Sequence, residues 1–104
     1  MNQAKKDFLS LAMPPARLGI NEAAWLLGFS DHDIPVLVSV RLLKPLGRPS
    51  STGSKYFAAV ELQSLRNDTR WLAKASDAIV NHWRSKNSGR KNHRVEQLAI
   101  AARN

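Results

Sequence analysis

The side chains with most capacity for chemistry in this chain are its cations. Arg41, Lys44, Arg48 and Lys55 occupy a stretch without a single acid, and Arg84, Lys86, Arg90, Lys91 and Arg94 occupy a second one. Residues 1–40 carry three basic and four acidic side chains, the remainder thirteen and four, so the net charge of +8 resides entirely in the later part. A field of this kind draws polyanions, nucleic acid first and anionic membrane second. The bland alternative is solubility, since a charge run is also the ordinary face of a solvated loop or helix.

The other candidate groups point to less. His32 stands between Asp31 and Asp33, but consecutive residues at a helix start project to different sides, so capping and solvation are expected rather than metal binding. His82 shares a helical face with Ile79 and Trp83 and reads as a half-buried histidine. No Ser, His and carboxylate set and no carboxylate pair has a supporting frame, and the absence of cysteine removes thiolate catalysis, disulfides and cysteine-based zinc sites. A non-enzymatic protein with no metal and no cofactor is expected. Trp25, Trp71 and Trp83 are able to stack on bases, as single-strand binders do. A helical tryptophan beside Leu and Ile is more often core, and Trp83, next to Arg84, is the one best placed for a nucleic-acid or subunit contact.

These groups are positioned by a short central stretch, residues 21–43, that reads as two helices joined by a tight turn. Asn21 is expected to cap the first helix, with Glu22 favoured by the helix dipole. Ala23, Leu26 and Leu27 give it a buried face, and Gly28 stops it by accepting the left-handed conformation. Ser30 and Asp33 form a Ser-x-x-acid capping pattern that opens a second helix over residues 30–41, through Ile34, Leu37 and Val38. Apolar segments at residues 42–46 and 55–57 flank a Gly-, Pro-, Ser- and Thr-rich tip, the composition of a β-hairpin, with Pro45 restricting the first strand to an edge.

A third helix follows over residues 58–66, its core face drawn from Ala59, Leu62 and Leu65 or from Val60 and Leu65. A longer helix over residues 69–86 then carries Trp71, Leu72, Ala75, Ala78, Ile79, His82 and Trp83 on one stripe, with Arg70, Lys74, Asp77, Asn81 and Arg84 opposite. Asn87, Ser88 and Gly89 are expected to end it, and residues 95–103 to form a conditional last helix. Residues 1–13 hold one or two marginal turns before Pro14 and Pro15. At 104 residues the chain suits a single domain. Its apolar runs are far below membrane-spanning length and its start has no secretory layout, so a soluble intracellular protein is expected.

The stretch Ile20-Asn-Glu-Ala-Ala-Trp-Leu-Leu-Gly-Phe-Ser, then Ile34-Pro-Val-Leu-Val, Leu43-Lys-Pro, Lys55-Tyr-Phe and Val60-Glu-Leu resembles the winged helix-turn-helix of MerR-type regulators and phage excisionases. The likeness covers residues 18–66, about half the chain. It implies a mainly α fold: helix-turn-helix, two-stranded wing, third helix and a longer C-terminal helix. The organisation expected is an N-terminal arm at 1–17, the winged domain at 18–67, the C-terminal helix at 68–87 and a basic tail at 88–104. It further implies a cytoplasmic, nucleoid-associated protein of bacterial or phage type that regulates transcription or assists recombination by binding duplex DNA.

In that reading the second helix meets the major groove, with Ser30, His32 and Ser39 able to bond and Val36 and Val40 able to touch a thymine methyl. Arg41, Lys44, Arg48 and Lys55 on the wing, and Arg84, Lys86, Arg90 and Lys91 on the tail, hold the backbone. Asp31 and Asp33 at the phosphate-facing end predict weak sequence discrimination. The alternative is a protein-interaction adaptor using the Val36 and Val40 face or the helix of Trp71 and Trp83, which would also serve a homodimer. RNA or single-strand binding stands third.

Overall fold

A computed structural model describes the backbone of residues 3–103 and the side chains of residues 3–87. The chain forms α1 (Gln3–Leu9), β1 (Arg17–Leu18), α2 (Ile20–Leu27), α3 (Asp33–Ser39), β2 (Phe57–Ala58), α4 (Ala59–Arg66) and α5 (Thr69–Arg103). It is thus mainly helical with one small antiparallel sheet, in which Arg17 pairs with Ala58 and Leu18 with Phe57. No helix among the described residues is long and apolar enough to cross a membrane.

Helix α2 buries Ala23 and Leu27 of its expected face together with Ala24, while Leu26 is half-buried against the core. It starts one residue before Asn21, however, because extended Gly19 takes the N-cap position and its carbonyl accepts the Ala23 N–H at 2.9 Å. Asn21 therefore lies inside the first turn and does not cap the helix. At the other end Gly28 adopts φ 86°, and its N–H and that of Phe29 both reach the Ala24 carbonyl. The chain turns there into α3, which is shorter than its pattern suggests. Only half of the Ser30–Asp33 capping pattern is made: the Ser30 N–H donates to Asp33 Oδ2 at 3.1 Å.

The expected wing is not a hairpin. Residues 42–46 touch the returning strand through one bond, Leu46 N–H to the Tyr56 carbonyl at 2.8 Å, and β2 pairs instead with β1 ahead of α2. Pro45 removes a ladder donor, and the tip at residues 47–54 has no apolar side chain besides the half-buried Pro49. Leu18 and Phe57, by contrast, face each other and both enter the core, where each buried side chain contributes roughly 1.5–3 kcal/mol.

Helix α4 packs on α2 through Ala59 and Leu62 while Val60, 78% exposed, faces out. Asp68 Oδ1 accepts the Trp71 N–H at 3.1 Å and so caps α5. The α5 stripe is placed as its spacing predicts: Trp71 and Ala75 are buried, Leu72, Ala78, Ile79, His82 and Trp83 half-buried, and Arg70, Lys74, Asp77, Asn81 and Arg84 exposed. The helix does not end at Asn87, Ser88 and Gly89. It continues as one 35-residue element through the segment expected to form a separate last helix. The N-terminal arm forms α1, held to α2 by Phe8 against Trp25 with ring centroids 5.8 Å apart.

Candidate nucleic-acid interface

Helix α3 lies between α2 and α5. Ile34 and Leu37 point into the core, and a seven-residue helix with two neighbours retains one open edge, formed here by His32, Pro35 and Ser39 at helical spacing. His32 is 81% exposed, 3.8 Å from the Asp31 carboxylate, and Ser30 is exposed beside it. The Ser39 hydroxyl donates to the Val36 carbonyl at 2.7 Å and keeps its lone pairs for an incoming donor.

Val36 is only 5% exposed, which removes it from any groove contact. The burial of Val36 also dissolves the expected Val36 and Val40 docking face, because Val40 alone remains half-open. The first turn of α3 is held by α5, where the Trp83 indole N–H donates to Asp33 Oδ1 at 3.1 Å. Both oxygens of Asp33 are thereby engaged, one by Ser30 and one by Trp83.

The other end of α3 is cationic. Arg41 adopts φ 65°, the left-handed region that L-residues seldom occupy. Its N–H donates to the Val38 carbonyl at 3.0 Å and the Leu42 N–H to the Leu37 carbonyl at 2.8 Å, the bond pattern of a Schellman stop with arginine where glycine is usual. Arg41 and Lys44 together border two adjoining clefts. One, about 410 Å³, runs toward α4 past Leu42, Val60, Glu61 and Ser64. The second, about 310 Å³, is walled by Val38, Leu43 and Pro45.

Arg48 and Lys55 stand on the loop beyond, Arg48 exposed and Lys55 half-buried with its Nζ 3.5 Å from the Ser51 carbonyl. Among the described residues none of these four cations forms an ion pair. Of the tail cations, Arg84 is exposed and Lys86 lies 5.4 Å over the Trp83 ring, while Arg90, Lys91 and Arg94 fall outside the described side chains. Since Trp83 reaches the start of α3 and Arg41 ends it, Lys86 stands toward one end of a helix about 10 Å long and Arg41 toward the other.

Sequence reasoning missed Arg17. Its guanidinium sits 4.1 Å over the Tyr56 ring at the base of the loop, where strand pairing carries it. Only the register of β1 with β2 brings the two residues together, and nothing local announces it. Of the tryptophans, Trp71 is closed to bases: it is buried, its indole N–H bonded to the Leu42 carbonyl at 2.9 Å. No three metal-ligating side chains gather among the described residues. Comparison of the chain with family models, with curated proteins and with solved structures finds no match.

Proposed function

We propose that this protein binds duplex DNA without catalysing a reaction, as a winged helix-turn-helix factor of the MerR and excisionase kind that regulates transcription or shapes a recombination site. Two short helices reversed at Gly28, a third helix packed on the first and a cation-bearing loop between them support that reading. The observation that carries it is the convergence of Arg41 and Lys44, neither in an ion pair among the described residues, at the end of α3 beside Ser39, where the open edge that runs from His32 through Pro35 finishes. Phosphates are held by cations that lack an internal partner, and a base edge by a short polar group next to them, here the Ser39 hydroxyl.

Affinity for a random-sequence duplex, titrated in rising salt, tests the proposal. Four loop and stop cations predict a log–log slope of about −3 to −4, and Arg48→Ala with Lys55→Ala is expected to reduce it by about 2. A wild-type slope shallower than about −1 would speak against duplex binding, and an unchanged slope in the double variant would make the loop idle.

A further inference from the structure

We infer that the duplex is gripped at the C-terminal end of α3, where Arg41 and Lys44 close on one phosphodiester, with the N-terminal turn of that helix turned away. The inference rests on the duplex-binding reading and reverses the usual geometry, in which the first residues of a recognition helix approach the bases.

Three observations carry it. The first is Arg41 itself. The bonds at the left-handed stop of α3 run from the main-chain N–H groups of Arg41, Leu42 and Leu43 to the carbonyls of Val38 and Leu37, so the stop needs nothing from the side chain of Arg41. Gly28 ends α2 in the same left-handed region with no Cβ to strain. A residue held in a disfavoured conformation that glycine would adopt freely points to a use for its side chain.

The second is the cleft pair. Arg41 and Lys44 border both clefts, are exposed and unpaired among the described residues, and face a single carboxylate there, Glu61 across on α4. The partial negative charge at a helix C-terminus, about half an elementary charge, opposes a phosphate. Two full cations outweigh it, and the Leu37 and Val38 carbonyls are already bonded.

The third is the opposite end. Asp31 is exposed, and Asp33 is fixed in place by the Ser30 and Trp83 N–H groups. A phosphate brought to that turn would meet two carboxylates, repelling at short range, with Lys5 in the cleft of Asp31 and Lys86 over the Trp83 ring only offsetting them, whereas Arg41 and Lys44 outnumber Glu61 at the other end.

Arg41→Gly separates the two roles of the residue, because it suits the left-handed stop and deletes the cation. The variant is expected to melt at or above the wild-type temperature. Its affinity for a duplex of about 20 base pairs at about 0.1 M salt should fall about tenfold, with the salt slope reduced by about 1. Arg41→Lys should keep the slope. Asp31→Asn, beyond the opposite end of α3 and screened from the grip by salt, should change affinity less than about twofold. Arg41→Gly binding with wild-type affinity and slope, while Arg48→Ala with Lys55→Ala weakens binding, would overturn the grip and leave the duplex reading standing. A tenfold gain from Asp31→Asn would place phosphate at the wrong end of α3. No duplex retention by the wild-type protein would remove both readings together.

Discussion

The two places where this chain stops a helix with a left-handed residue are built alike and tuned differently. Gly28 at φ 86° ends α2 and Arg41 at φ 65° ends α3. In each, the next residue reaches back five positions, Phe29 to the Ala24 carbonyl at 2.9 Å and Leu42 to the Leu37 carbonyl at 2.8 Å. Both also lean on one side chain. Phe29 packs edge-on against Trp71 with centroids 6.3 Å apart, and the Leu42 carbonyl accepts the Trp71 indole N–H. The first stop uses the residue with no penalty, whereas the second accepts a left-handed cost of about 1–2 kcal/mol to place a cation. A fold that tolerates that strain must over-determine the turn from outside, and Trp71 does so.

Trp71→Ala should therefore have the largest effect, a loss of about 3–5 kcal/mol in chemical denaturation, because ring packing at the Gly28 turn and the bond at the Arg41 turn go together. Trp71→Phe keeps a ring and removes the N–H. It should cost about 1–3 kcal/mol through the stranded Leu42 carbonyl, and so weaken the arginine stop selectively. If Trp71→Phe proves neutral, water satisfies that carbonyl and the two stops are not buttressed in common.

The contrast also explains what was legible beforehand. Gly28 announces its turn, since a glycine after an apolar helical face has few other uses, and the α5 stripe from Trp71 to Trp83 reads off a 3.6-residue period. Arg41 announces nothing. Arginine is a good helix former, so the pattern ran α3 on to residue 41, and only main-chain geometry exposes the stop. Helix α5 outlasted Asn87, Ser88 and Gly89, where local breakers suggested an end, because a single glycine costs a helix only about 1 kcal/mol. The partners of β2 and the burial of Val36 depend on which elements meet, and local pattern is silent on that. Hence the cations were readable as a class, while the pairing of Arg41 with Lys44 and the place of Arg17 over Tyr56 were not.

Placing alanine at each stop sharpens the comparison further, since the same residue then replaces a relaxed glycine in one and a strained arginine in the other. A Cβ at Gly28 would meet no atom within 4 Å, so Gly28→Ala isolates the backbone term. It should cost about 0.5–1.5 kcal/mol, the left-handed penalty less the entropy that alanine removes from the unfolded chain.

Arg41→Ala is expected to have the smallest effect, within about 0.5 kcal/mol, because arginine and alanine carry the same Cβ through the same φ and the exposed guanidinium has no ion pair among the described residues to lose. Equilibrium denaturation of the two variants beside Arg41→Gly closes the set: the gain from Arg41→Gly should mirror the loss from Gly28→Ala. Were Arg41→Ala to lose about 2 kcal/mol instead, the aliphatic stem of Arg41 would be covering apolar surface in the Leu42 and Val60 cleft. Its retention at a left-handed position would then follow from packing, and the strain would cease to argue for a ligand.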